Sequence, residues 1–140
     1  MQSKGSAVWK GGFRDGRGSI STASGALKDE GYSVASRFEG DKGTNPEELI
    51  AAAHAACFSM ALSLLLSKAG LDPETIETAA TVTLDKVGDG FEITASHLDV
   101  GARIPGADQA KFLEVAKQAE QGCPVSKVLR ARISMDARLL

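Results

Sequence analysis

Cysteine is scarce in this chain of 140 residues: there are two, Cys57 and Cys123. Two thiols without a Cys/His cluster cannot build a structural zinc site, so no metal is expected. In a cytosolic protein a stable structural disulfide is uncommon. The pair is therefore either redox-active or two inert buried thiols, and from the count alone the inert reading comes first. Basic excess is also missing. The net charge is −2, which implies no broad cationic face and makes nucleic acid an unexpected partner. The opening MQSKGSAVWKGG has no apolar run and no cleavage signal, so secretion is not expected. No Ser/Gly linker, charge block or internal repeat divides the chain, and a single domain over residues 1–140 is expected. No glycine pattern for a nucleotide and no Ser/His/Asp set is present.

What the chain does have is one long apolar run, Leu49 to Leu66, about the length that spans a bilayer. It is Ala-rich, includes His54, Ser59 and Ser63, and follows directly on Glu47 and Glu48. A helix apolar on nearly every face can equally be buried in protein, and no membrane association is expected. One small subunit can hardly cover such a helix, which points to a second subunit.

The helix should start at Asn45-Pro46. Asn45 is a good cap, Pro46 suits the first helical position, and Glu47 and Glu48 favour the positive end of the dipole. Gly70 should end it. Residues 6–38 read as strands: Ser6–Trp9, Ser19–Thr22 and the alternating Tyr32–Phe38. Thr75–Val87 and Phe91–Arg103 read as a long hairpin turned at Gly88-Asp89-Gly90. Asp108 should cap a helix running to about Gln121, with Phe112, Val115, Ala116 and Ala119 inward. A short helix should follow Cys123-Pro124, and Ala131–Leu139 should be a final strand. The order is α+β rather than a doubly wound sheet.

Cys57 lies mid-helix, in Ala-Ala-His-Ala-Ala-Cys-Phe. It is either a core thiol, as free cysteine commonly is, or a thiolate needing a nearby cation. His54, three residues back, is most simply a satisfied core residue. Cys123 opens a helix, a position that lowers a thiol's pKa and exposes its sulfur. Arg37 reads either as an exposed arginine at a strand end or as a charged group among apolar neighbours. Glu47 in the first turn is most simply a partner of the helix dipole.

Several segments together resemble a known family. Arg37-Phe38-Glu39-Gly40, then Gly43-Thr44-Asn45-Pro46-Glu47-Glu48-Leu49, then Ala52 to Leu62 around His54 and Cys57, and Gly122-Cys123-Pro124-Val125-Ser126-Lys127-Val128-Leu129 are similar to OsmC (osmotically induced protein C) proteins. The segment from Gly16 to Gly25 fits as well. The related organic hydroperoxide resistance proteins usually carry Tyr in place of His54. They take their arginine from an earlier loop, where this chain offers Arg14 and Arg17. The Arg37-Phe38-Glu39 segment favours the OsmC type and Arg37.

The resemblance implies an intertwined homodimer with long central helices wrapped by antiparallel sheets, in bacterial cytoplasm. It implies reduction of organic hydroperoxides without metal or other cofactor. By matched position, Cys57 would be the attacking thiol, Cys123 the resolving thiol, and Arg37 and Glu47 the activating pair. A dithiol reductant such as a lipoyl-bearing protein would restore the thiols. Phe38, Phe58 and Met60 are candidates for an apolar lining. The rival readings are a non-catalytic dimeric module that binds an apolar ligand and a structural dimer without activity. Glu47 and Cys57 are ten residues apart on one helix, which separates their backbones by roughly 15 Å. The expected site is therefore composite, with Cys57 and Cys123 from one chain and Arg37 and Glu47 from its partner.

Overall fold

The computed structural model describes all 140 residues, as two compact units, Met1–Leu49 and Ile50–Leu140. In the first unit, β1 (Gly5–Lys10), β2 (Arg17–Thr22) and β3 (Glu30–Tyr32) form an antiparallel sheet in that order. Trp9 and Tyr32 pack against each other in a tilted arrangement, with ring centroids 5.4 Å apart. Gly18 is needed beneath Tyr32, because a Cβ there would stand 2.1 Å from a ring carbon.

The expected strand Tyr32–Phe38 breaks after Tyr32. Val34–Phe38 is instead a short helix, α1, and Arg37 lies on it rather than at a strand end. The cause is local. The Ser33 hydroxyl accepts from the Ser36 amide and the Ser36 hydroxyl accepts from the Ser33 amide, a reciprocal capping box. Ser36 also donates to the Thr44 carbonyl, and Thr44 bridges to Tyr32. The loop before the long helix is thereby tied to α1.

That helix, α2 (Pro46–Lys68), starts and stops as its sequence indicates. The Asn45 side chain accepts from the Glu48 amide at 2.8 Å, and Gly70 takes φ 73° just past the end. Its first turn belongs to the first unit and the remainder to the second. By length and composition it could cross a bilayer. In the second unit, the i, i+4 stripe His54, Phe58, Leu62 and Leu66 is fully buried. On the opposite face Met60 and Leu64 are 70% and 57% exposed.

The stripe packs in a core with the inward face of β5 and the apolar face of α3. β4 (Thr75–Val87) and β5 (Gly90–Arg103) form the expected hairpin, with a register shift at Thr83/Leu84. α3 (Gln109–Gly122) is capped by Asp108 and buries Phe112, Val115, Ala116 and Ala119, as its periodicity predicts. α4 (Pro124–Val128) begins after Cys123. β6 (Arg132–Leu139) then pairs with β5 in parallel, so this sheet is not wholly antiparallel. The connection through α3 and α4 is long enough to carry the chain back to the start of the sheet, which a parallel pairing requires.

Candidate active site

The first unit holds an arginine–carboxylate pair. Arg37 on α1 donates through Nε to Glu47 Oε2 at 3.0 Å and through Nη2 to Glu47 Oε1 at 2.6 Å. This is a bidentate fork, strong and geometrically fixed. Glu47 is nearly buried, and the guanidinium also lies over the Phe38 ring, 5.2 Å from its centroid. The capping box sets Arg37 and the α2 cap sets Glu47, so both ends of the pair stand on helix termini fixed by hydrogen bonds. Trp9, Phe13, Tyr32, Val34, Phe38 and Pro46 make an apolar hollow that Arg37 borders. Arg17 is occupied elsewhere, donating to the Gly16 carbonyl.

The second unit holds both thiols, unbridged. Cys57 is half-buried on α2, at an open apolar hollow of about 360 Å³ shared with Met60, Ala61, Leu64, Leu65, Gly122 and Pro124. Met60 lines this hollow as expected. Phe58 does not, because it is a core residue with no exposed surface. Cys123 is fully buried, contrary to the exposed sulfur expected at a helix start. Its side chain turns inward among the α2, α3 and β5 residues of the core.

The two thiols are near enough to act on each other's ionisation. Burial pushes the Cys57 thiol up, the Val125 amide opposes this, and the neighbouring Cys123 adds to the rise. Burial also pushes Cys123 up. There, however, the Ser126 amide, the Cys57 thiol, the Ser126 hydroxyl and the Val125 amide together bring it below its ordinary value. The Cys123 side chain makes no capping hydrogen bond at the start of α4. No cation is among the groups that act on Cys57.

His54 is buried and satisfied, as its place on the helix suggests. Nδ1 meets the Ser96 hydroxyl on β5 at 2.7 Å, and Nε2 meets the Ser126 hydroxyl at 2.8 Å. Burial lowers its pKa, with the Glu120 carboxylate opposing, and the ring is neutral at pH 7. Ser96 and Ser126 are polar neighbours that the sequence reading missed. They stand 42 and 72 residues from His54, and a single serine carries no periodic signal.

Residues 39–138 match the sequence pattern of the OsmC-like protein family. The chain belongs to that family. It is 52% identical to the peroxiredoxin OsmC of Escherichia coli over 139 residues, which is 99% of this chain and 97% of that protein. It is 32% identical to the organic hydroperoxide resistance protein OhrB of Bacillus subtilis, over 90% of this chain and 92% of that one. The crystal structure of B. subtilis OhrB superposes with a TM-score of 0.77 over 99% of this chain and 98% of that one. The α+β architecture, two small sheets and a long helix, is thus that of the OsmC and organic hydroperoxide resistance proteins.

Proposed function

We propose that the protein is a cysteine-based peroxidase that reduces organic hydroperoxides to alcohols. Cys57 is the attacking thiol and Cys123 the resolving thiol. The observation that carries this reading is the thiol pair: a half-buried sulfur facing an apolar hollow, beside a buried second sulfur that acts on its ionisation. The close relation to a protein called a peroxiredoxin, and to proteins of organic hydroperoxide resistance, supports it. Access selects Cys57 as the nucleophile, since Cys123 has no exposed surface.

The Cys57 thiolate attacks the distal peroxide oxygen. The O–O bond breaks, the alkoxide leaves as the alcohol after taking a proton, and Cys57 becomes a sulfenic acid. Cys123 displaces the hydroxyl, giving water and the Cys57–Cys123 disulfide. An external dithiol, which could be carried on a lipoyl-bearing protein, reduces it by exchange. The hollow's Met60, Leu64 and Leu65 favour an apolar peroxide over a small polar one. Arg37, oriented by Glu47, supplies the fixed positive charge that the thiolate requires.

One equivalent of cumene hydroperoxide should remove both free thiols per chain within seconds. A non-catalytic module that only binds an apolar ligand would keep both thiols, and that result would end the peroxidase reading.

The working unit is a homodimer. Met60 and Leu64 leave an apolar helix face open, which a second copy would cover. The unfolding midpoint should therefore rise with protein concentration. A midpoint independent of concentration, with a monomeric mass by light scattering, would remove the dimer.

A further inference from the structure

We propose that the His54–Ser126 hydrogen bond is a clamp between α2 and α4 that holds Cys57 and Cys123 in disulfide reach, with His54 and Ser126 as positioning residues. The inference rests on the resolving role given to Cys123 above. The register of the two helices carries it. On α2, Cys57 lies three residues beyond His54, and Cys123 lies three residues before Ser126, at the N-cap of α4. His54 Nε2 meets the Ser126 hydroxyl at 2.8 Å. Three residues forward on α2 and three back on α4 lead from that bond to the two thiols. Such a step rises roughly 4.5 Å on either helix and returns to the same face. The bond and the thiol pair are thus successive rungs of one antiparallel contact, about a turn apart. The second rung is visible in the fold. Cys57 shares its apolar hollow with Gly122 and Pro124, the residues on either side of Cys123, and it packs on the core that contains Cys123.

α4 needs such a tie. It is five residues long and none of them is fully buried: Pro124, Lys127 and Val128 are exposed, and Val125 and Ser126 are half-buried. Apolar packing therefore gives it little hold. His54, by contrast, is fixed. It has no exposed surface, and its Nδ1 meets the Ser96 hydroxyl on β5 at 2.7 Å. With a bond on each nitrogen, the ring cannot turn without losing both. A neutral imidazole donates through one nitrogen and accepts through the other, and a hydroxyl can answer either, so both bonds stand in either tautomer. Ser96 thus sets the ring from the sheet, and the ring sets α4. In the resolving step the Cys123 sulfur bonds to the Cys57 sulfur, the sulfenic S–O bond breaks, and the hydroxyl leaves with the Cys123 proton as water. The clamp takes no part in that exchange of bonds. It raises the effective concentration of one sulfur at the other, and the disulfide in return strengthens the clamp by the same factor.

The test is the thiol–disulfide equilibrium of the full chain in dithiothreitol buffers of graded oxidised-to-reduced ratio, read by intact mass after thiol alkylation. No hydroperoxide is needed. Ser126→Ala removes the bond at a half-buried site. The Cys57–Cys123 disulfide should then be reduced about fivefold more readily, as the loss of one ordinary hydrogen bond predicts. Ser126→Thr, which keeps the hydroxyl, should restore the parent equilibrium. His54→Leu should match Ser126→Ala, and the double variant should add nothing to either, because both remove the same bond. A residue that only supports the fold would weaken oxidised and reduced protein alike and leave the equilibrium where it was. If His54→Leu does not fold, Ser126→Ala and Ser126→Thr decide. An unchanged equilibrium in Ser126→Ala overturns the clamp. So does a shift toward the disulfide, which would mean that the hydroxyl favours the reduced thiols. A parent that forms no Cys57–Cys123 disulfide in any of these buffers overturns it as well. A parent that forms the disulfide in the buffers but not after one equivalent of hydroperoxide would instead overturn the peroxidase reading, and the clamp would stand on the Ser126→Ala shift.

Discussion

A Cys57→Ser protein should lose peroxide reduction altogether, whereas Cys123→Ser should consume roughly one equivalent and then stop. The difference follows from where the two sulfurs lie. Cys57 opens on the apolar hollow, and Cys123 has no exposed surface through which a peroxide could reach it. A serine hydroxyl at position 57 is far too weak an acid to offer an anion for attack on the O–O bond. At position 123 the serine leaves the first step intact and removes the group that traps the sulfenic acid. That acid then persists and, with excess peroxide, climbs to sulfinic and sulfonic acid. Intact mass after peroxide treatment reads both outcomes as added oxygens on Cys123→Ser and none on Cys57→Ser. Normal turnover of Cys123→Ser with an added dithiol would make the resolving thiol dispensable. Activity in Cys57→Ser would remove the mechanism.

The cysteine environments also show how far the sequence could be read. The boundaries of α2 were legible because each rests on a neighbouring residue: Asn45 accepting from Glu48, Pro46 in the first turn, and Gly70 in the left-handed region. The inward face of α3 was legible for the same kind of reason, a 3.6-residue period over a polar background. Residues 32–38 misled because Tyr32, Val34 and Phe38 alternate as a strand would. The capping box that overrules them uses Ser36 at a position where Glu or Gln is the familiar signal. The parallel pairing of β6 with β5 has no local signature, since it depends on how α3 and α4 return the chain.

The site divides along the same line. Cys57 and Cys123 stood out by type and context, and Arg37 and Glu47 entered through the family resemblance. The fork between Arg37 and Glu47 is present in the fold at 2.6 and 3.0 Å. The burial of Cys123, and the serines that hold His54, were not legible because tertiary packing alone creates them. His54 itself reads as an ordinary core residue until Ser96 and Ser126 are seen on its two nitrogens.

Mixing two inactive variants, Cys57→Ser and Arg37→Ala, should restore activity toward about half per heterodimer if each site draws on both chains. The expectation of a composite site starts from Cys57. Burial and Cys123 both raise its thiol, and the only opposing group is a backbone amide. A peroxide-reducing thiolate held in such surroundings requires a cation, and Arg37 is a guanidinium fixed by a carboxylate at a hollow lined by aromatic rings. Glu47, its anchor, precedes Cys57 by ten residues on α2, a rise of roughly 15 Å. Along a single helix a Glu–Arg–Cys contact is strained across that span. Two copies of α2 running antiparallel would lay the Glu47 end of one beside the Cys57 segment of the other, and would cover Met60 and Leu64 as they did so. In a trans arrangement, one of the two sites in each heterodimer then has Cys57 from the Arg37→Ala chain and Arg37 from the Cys57→Ser chain. In a cis arrangement neither site has both. Recovery measured as hydroperoxide consumption, with heterodimers counted by native mass, separates the two. Confirmed heterodimers without activity would sink the composite site and leave the peroxidase assignment untouched.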